Sequence, residues 1–265
     1  MGGDLHEGEN TREALGRIGR DIASARFAVV FTGAGISTES GLPDYRGPSG
    51  LWKNRRFEEL ANIDAFKDDP VEFWEFYAHR LAVLADAEPN AAHRALESMY
   101  RAGLIKGVIT QNVDGLHRRD VFGNGLAELH GSLRTGVCLD CESELDGAEV
   151  EARIAEADDG VPRCNCGYPI KPGVVLFGEM LPEEQVVRAQ TCALEADYML
   201  CLGSSLSVIP AAFLPATVLK SGGRVAIINQ GPTDYDDEPG VIKVEAALAE
   251  ALPIVATAAE RGRGA

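Results

Sequence analysis

The chain is short of lysine, of basic charge in general and of long apolar runs. Lysine contributes 6 and arginine 19 of the 25 basic residues, against 41 acidic ones, for a formal net charge of −16. Nothing in such a composition supplies the basic stripe that displaces counterions from a nucleic acid, so direct nucleic-acid binding is not expected. The acid excess leaves two readings open, attraction of basic protein tails and simple solubility. The opening residues, Met1-Gly-Gly-Asp-Leu-His6-Glu7, hold no apolar core of an export signal, and His6 stands where a myristoylation signal requires Ser or Thr. Export is therefore not expected, and a cytoplasmic location is. One uncharged stretch, Tyr198 to Leu219, is long enough to cross a bilayer, but Gly203-Ser-Ser, Ser207, Pro210 and Pro215 interrupt it. A strand, a turn and a buried helix fit it better, with no membrane span.

What is present is an ordinary globular composition. With 45% apolar and 25% charged residues, 265 positions suffice for one large or two modest domains. The organising stretch is Phe27-Ala-Val-Val-Phe-Thr-Gly33-Ala34-Gly35-Ile-Ser37, whose β-branched and aromatic run suits a strand buried on both faces of a parallel sheet. It breaks at two glycines. Gly33 permits a tight turn, and Gly35 would let a diphosphate lie against bare backbone amides at a helix N-terminus. Thr38 replaces the third glycine of the dinucleotide fingerprint, so an ordinary strand-to-helix turn remains the other reading.

Asn10-Thr-Arg-Glu13 has the form of a capping box, which puts a helix before this strand. Phe57 to Phe66 reads as helical. Asp69-Pro70 then starts a helix in which Val71, Trp74, Tyr77, Leu81 and Leu84 share helical spacing, ending near Asp86. A further helix starts at Pro89 and another spans Pro182 to Glu195. Strands are expected at Leu104–Thr110, Leu126–Leu129, Tyr198–Leu202 and Arg224–Asn229, and the tail Arg261–Ala265 should be frayed. Strands alternating with helices select an α/β fold, a doubly wound parallel sheet. Gln111, Asn112 and Asp114 follow one of these strands at the edge where such sheets bind ligands, although Asx residues also shape turns unaided. Four of the six cysteines arrive as Cys138-Leu-Asp-Cys141 and Cys164-Asn-Cys166, with 22 residues between the pairs. Without export, paired cysteines suit a closed structural zinc site of four thiolates; the second pair is one residue short of the usual spacing, and a redox pair is the alternative. Cys192 and Cys201 read as small core residues.

The stretches GAGISTESGLPDYRG, TQNVDGLH, ELHGS, the paired cysteines, PGVVLFGEMLP, GSSLSVIPA and AIINQ, in this order, resemble the sirtuin family over about residues 11 to 252. The resemblance implies a Rossmann-like NAD-binding domain from 11–47, 87–134 and 172–256. It adds a helical module with the cofactor loop at 48–86 and a zinc-ribbon module at 135–171. It also implies NAD as co-substrate, one structural zinc ion, and removal of acyl groups from protein lysine side chains, giving nicotinamide and O-acyl-ADP-ribose. In that chemistry the amide oxygen attacks C1′ of the nicotinamide ribose, and a base then frees a ribose hydroxyl to attack the resulting intermediate. His130 matches the base, and an imidazole with an ordinary pKa of about 6.5 suits that task at neutral pH.

The match places Gly33, Ala34, Gly35, Ser37 and Arg46 around the diphosphate and ribose, and Gln111 on a ribose hydroxyl. Asn112 and Asp114 would hold the nicotinamide carboxamide; Gly203, Ser204, Ser205 and Asn229 would hold the adenosine half. Tyr45 stands where the family usually has phenylalanine, a ring that shields the intermediate from water and nicotinamide. Val175, Phe177, Gly178 and Glu179 on one side, and Ser207 to Ile209 on the other, match segments that clamp an extended acylated peptide as an added strand.

Tyr77 and Arg80, three apart on one predicted helix, resemble the Tyr-x-x-Arg signature of sirtuins that remove succinyl and malonyl groups. A guanidinium fork pairs with an acyl carboxylate and a phenol adds a hydrogen bond, so acidic acyl groups are expected as substrates beside acetyl. The other reading of the pair is a core-facing tyrosine with a solvated arginine. Pro48 departs from the small residue that widens the acyl pocket in some desuccinylases. ADP-ribosyl transfer to protein on the same scaffold is the alternative activity; a non-catalytic NAD-binding module and an ordinary dehydrogenase are further rivals.

Overall fold

In the computed structural model, which describes residues 10–47 and 50–264, the apolar run after Phe27 forms β1, Ala28–Thr32, buried along its whole length. It lies inside a six-stranded parallel sheet. On one side stand β2, Gly107–Thr110, and β3, Leu126–Glu128; on the other stand β7, Tyr198–Leu202, β8, Arg224–Ile228, and β9, Val241–Val244. The registers bring Thr32 level with Thr110 and Leu202, Thr110 level with Glu128, and Leu202 level with Ile228. Every loop that leaves a carboxyl end therefore emerges on one edge. Because the strand order reverses at β1, the loops after β1 and β7 part and open a crevice there.

Helices cover both faces. α1, Thr11–Ser24, α5, Ala91–Arg101, and α10, Leu248–Arg263, bury Ile18, Leu96 and Leu252 against Val30 and Leu200. α8, Glu183–Glu195, and α9, Leu214–Lys220, bury Ala189 and Val218 against Phe31 and Cys201. α6, Arg119–Phe122, is a single turn before β3. The capping box of α1 is present, with the Glu13 N–H donating to Asn10 Oδ1 at 3.0 Å and the Asn10 N–H to Glu13 Oε2 at 3.2 Å.

A second, antiparallel sheet places β4, Gly131–Cys138, between β5, Glu144–Asp146, and β6, Ile170–Val174, with α7, Gly147–Glu156, following β5. Its strands run a few residues beyond the expected 135–171. Between β1 and α5 lie α2, Arg55–Leu60, α3, Ile63–Asp68, and α4, Pro70–Ala85, whose Phe66, Phe73, Trp74 and Tyr77 share one cluster with Ile170 and Val174 of the small sheet. Trp74 Nε1 donates to the Ile170 carbonyl at 2.8 Å, fastening helix to sheet.

Three expectations are corrected. The segment from Phe57 to Phe66 is two helices, because the Asn62 side chain caps α3 at Asp64 N–H, 2.9 Å, and the backbone on either side pairs with Phe177. β2 begins at Gly107, since the Leu104 N–H turns back to the Met99 carbonyl at 2.9 Å. The tail is helical to Arg263, with Ala259 buried. Pro48, His6 and Ala265 lie outside the described residues. Among the described residues no helix is long and apolar enough to cross a membrane.

Candidate active site

The crevice between the β1 and β7 loops holds the two turns at backbone contact. The Gly33 N–H donates to the Leu202 carbonyl and the Gly35 N–H to the Gly203 carbonyl, both at 2.9 Å. A Cβ on Gly33 would sit 2.7 Å from Gly203 O, and Gly203 itself has φ +58, a conformation that suits glycine. These glycines let two loops press together. The cavity above them measures about 1220 Å³ and is lined by Gly33, Ala34, Gly35, Tyr45, Arg46, Gln111, Asn112 and His130. It continues to Tyr77, Arg80, Val175, Phe177, Gly178 and Glu179, and to Gly203, Ser204, Ser205 and Asn229. Residues expected to meet cofactor and substrate thus border one space.

Ser37 and Asp114 are the exceptions. They lie one layer behind the wall, 1% and 8% exposed, joined by the Ser37 hydroxyl donating to Asp114 Oδ2 at 2.8 Å. What they position is Asn112, whose Nδ2 lies 3.3 Å from Ser37 Oγ and donates to the Gly33 carbonyl at 3.1 Å. The Asn112 N–H donates to Thr110 Oγ1 at 3.0 Å, and that hydroxyl is bonded to Thr32 Oγ1 at 2.8 Å. His117 Nε2 stands 2.9 Å from Thr32 Oγ1, and burial pushes the His117 pKa down to about 4, so the ring is neutral and structural. Gln111 is turned the other way, its Nε2 donating to Ser204 Oγ at 2.9 Å, which joins the β2 and β7 loops.

His130 lies two residues past the end of β3 and precedes Gly131, whose φ is +72 and where a Cβ would meet Gly173 O at 2.1 Å. Only a glycine there lets β4 turn away while the imidazole stays in the cavity wall. His130 Nδ1 lies 3.0 Å from the Gln111 carbonyl oxygen. A carbonyl only accepts, so Nδ1 carries the proton and Nε2 keeps the basic lone pair. Burial lowers the pKa of the ring, and the carbonyl contact opposes that shift only in part. The imidazole is therefore a neutral acceptor at neutral pH.

The His130 carbonyl receives the Val175 N–H at 2.9 Å, so the candidate base and the candidate peptide clamp share a hydrogen bond. Phe177 is tied to the helical segment through Ala61 O at 2.9 Å and Ile63 N–H at 3.1 Å. Lys171, with its side chain 6% exposed, reaches Glu179 at 3.0 Å, and Glu179 also takes the Leu176 N–H at 2.8 Å. Phe177 and Ile209, 54% and 66% exposed, leave two large apolar side chains beside the cavity.

Tyr77 and Arg80 do converge. Tyr77 is 1% exposed and stacks on Phe73 at 4.3 Å, and burial is the main cause that pushes its phenol up to about 12. Arg80 lies over the Phe57 ring at 4.8 Å and the Tyr77 ring at 5.4 Å. Among the described residues no carboxylate pairs with it, and its guanidinium lines the cavity rather than standing in bulk solvent.

Cys138, Cys141, Cys164 and Cys166 bring their sulfurs within 4.8 Å of one another, with Cys138–Cys166 at 3.5 Å and Cys141–Cys164 at 3.4 Å. A tetrahedron of zinc–sulfur bonds of about 2.3 Å needs sulfurs about 3.8 Å apart. The four thiols fit one structural zinc ion, so the shortened second pair is no obstacle, and no ligand position is left open for chemistry.

Sequence reasoning missed Phe57, which lies under the Arg80 guanidinium, and Ala246-Ala247-Leu248 at the start of α10, which also lines the cavity. Both lie in stretches without a motif. The signal for Phe57 was its helical spacing ahead of the aromatic α4; Ala246 to Leu248 gave none.

A family model described as the Sir2 family matches residues 33–210. An "NAD-dependent protein deacetylase" of Caldivirga maquilingensis is 48% identical over 88% of this chain and 89% of that protein. An "NAD-dependent protein deacylase" of Thermococcus kodakarensis is 45% identical over 81% of this chain and 84% of its own length. Among solved structures, a Sir2–p53 peptide–NAD+ complex superposes with TM-score 0.79 at 37% identity, covering 89% of this chain and 94% of that one.

Proposed function

This chain belongs to the Sir2 family, and we propose that it removes acyl groups from lysine side chains of proteins with consumption of NAD. The observation that carries the reading is the single cavity shared by the glycine crevice, Asn112, the His130 imidazole and the clamp at Phe177. In it the dinucleotide would lie along the loops after β1, β7 and β8, with Asn112 on the nicotinamide carboxamide and Gln111 near the ribose. The acylated side chain would enter beside Phe177 and Ile209, with its peptide adding a strand. Held there, the amide oxygen would face C1′ as nicotinamide leaves, and His130 Nε2 would take the proton of a ribose hydroxyl that then attacks the acyl carbon. Incubation with NAD and an acyl-lysine peptide should yield nicotinamide and O-acyl-ADP-ribose in equal amounts by mass spectrometry. Nicotinamide formed with ADP-ribose fixed to protein instead would establish the transferase alternative. The same reading divides the chain into NAD-binding, helical and zinc modules near the boundaries given above, and it includes a cytoplasmic location and no nucleic-acid partner.

The protonation state sets a pH dependence. His130 must be neutral to act, and its folded pKa lies below the ordinary value of about 6.5. Deacylation should therefore hold its rate as pH falls past 6.5 and decline only below that. A decline centred above pH 7 would show that another group is the base.

The acyl preference rests on Arg80. A guanidinium facing a cavity with aromatic walls, and with no carboxylate partner among the described residues, invites an anionic ligand, and a succinyl or malonyl carboxylate would reach it as a bidentate pair. Arg80→Met should lower the ratio of succinyl to acetyl kcat/KM at least tenfold, an effect on the order of a charge-assisted hydrogen bond. An unchanged ratio would sink the acidic-acyl reading and leave acetyl removal standing.

A further inference from the structure

Tyr45 and Arg80 are 35 residues apart in sequence, yet Arg80 Nη2 donates to the Tyr45 hydroxyl at 3.2 Å. The two belong to different parts of the site. Tyr45 sits on the loop that follows the glycine crevice, between Asp44 and the cavity-lining Arg46, and that loop is folded on itself through Asp44. The Gly47 N–H reaches Asp44 Oδ1 and the Leu51 N–H reaches the Asp44 carbonyl, each at 2.9 Å. Arg80 rides on α4. Phe57 closes the triangle, its ring edge-on to Tyr45 at 6.0 Å and beneath the guanidinium at 4.8 Å. A phenylalanine at position 45 would keep the ring contact and lose the hydrogen bond.

We propose that Tyr45 is a specificity-positioning residue that couples recognition of an acidic acyl group at Arg80 to the placement of its own loop, after the glycine crevice, over NAD. The inference rests on the reading of Arg80 as the receiver of the acyl carboxylate. Arginine offers five donors in a fixed fork. A bond from Nη2 to Tyr45 fixes the rotation of that fork in advance, leaving its other donors for a bidentate carboxylate. Immobilising the long side chain beforehand spares part of the ordering cost of binding. In return, a carboxylate that holds the fork still also holds the Tyr45 hydroxyl, and with it the loop beside the nicotinamide ribose. The coupling is reciprocal: an acidic acyl peptide tightens NAD by the factor by which NAD tightens that peptide. Acetyl-lysine, with no charge to place on Arg80, gains nothing from the clasp.

The test uses the whole enzyme, NAD, and matched acetyl- and succinyl-lysine peptides, with Tyr45→Phe, Arg80→Met and the double variant. Two quantities are read, the succinyl-to-acetyl ratio of kcat/KM and the dissociation constant of NAD in the presence of each peptide, with a poorly turned over thioacyl form of the peptide for the latter. Tyr45→Phe should lower the ratio about three- to tenfold, the range expected for one lost ordering contact, and should abolish any tightening of NAD by the succinyl peptide. The double variant should be no less selective than Arg80→Met alone, because the tyrosine acts through the arginine. If Arg80→Met lowers the ratio while Tyr45→Phe leaves both quantities at wild-type values, the coupling is wrong and the acyl reading survives. If neither variant moves the ratio, both fall.

Discussion

His130→Ala should lower formation of O-acyl-ADP-ribose about 10²- to 10⁴-fold, the usual worth of a positioned general base, while exchange of labelled nicotinamide into NAD falls far less. The split follows from the order of events. On the proposed reading, expulsion of nicotinamide would need the acyl oxygen near C1′ and the carboxamide held by Asn112, whose own supports are Gly33 O, Thr110 Oγ1 and the buried Ser37–Asp114 pair. None of these passes through the imidazole. On the same reading His130 would act afterwards, when a ribose hydroxyl must lose its proton, and the hydrogen bond from Nδ1 to the Gln111 carbonyl would aim Nε2 for that step. Alanine removes the acceptor but not the Val175 bond, which uses the residue 130 carbonyl. The peptide clamp should therefore stay intact, and KM for the peptide should change little. Equal losses in exchange and in product formation would show instead that His130 serves binding or folding. The pH profile supplies an independent check, since the low-pH limb of the wild type should vanish from whatever activity remains.

How much of this was legible in the sequence depended on how local the cause was. The Asn10 capping box, the Asp69-Pro70 start of α4 and the fully buried β1 are decided within a few residues, and the chain announces them. The break between α2 and α3 is decided by Phe177, whose backbone pairs across Ala61 and Ile63 from over a hundred residues away, and no local pattern reports it. α10 was missed for a related reason. Its N-cap Ala247 has no capping side chain and Pro253 lies in its interior; its Ala249 N–H is instead taken by Glu39 Oε2 at 2.7 Å, from the segment just after the glycine crevice. For the site, motif order gathered the residues, but only the fold separated those that touch the cavity from Ser37 and Asp114 behind it. The glycines likewise acquired a second reason: Gly33 and Gly35 are narrow because Gly203 lies against them.

Removal of zinc should abolish deacylation, and it should do so through the peptide side of the site before the dinucleotide side. The segment around the cysteines is roughly 40 residues, at the size where a metal or disulfides must supplement the core. Leu145, Val150, Val161 and Ile170 are its main buried aliphatic side chains. Binding to four thiolates contributes on the order of 10–16 kcal/mol in comparable small domains, so a strong chelator, or Cys164→Ser, should unfold the three-stranded sheet. Its strands carry three ties to the active site: Trp74 to Ile170 O, Lys171 to Glu179, and β6 beside Gly131, next to His130. With them gone, α4 and the clamp lose their backing. The crevice at Gly33, Gly35 and Gly203 belongs wholly to the six-stranded sheet and keeps its own hydrogen bonds. The chelated protein should accordingly bind NAD within several-fold of its original affinity, retain most of its helical circular dichroism, and fail to bind acyl peptide; restoring zinc should restore turnover. Full activity after complete removal of the metal, verified by elemental analysis, would mean that the aromatic cluster of α4 holds the clamp unaided. Concurrent loss of NAD binding would mean that the two sheets fold as one unit, because only then could a defect centred on the cysteines reach the β1 and β7 loops.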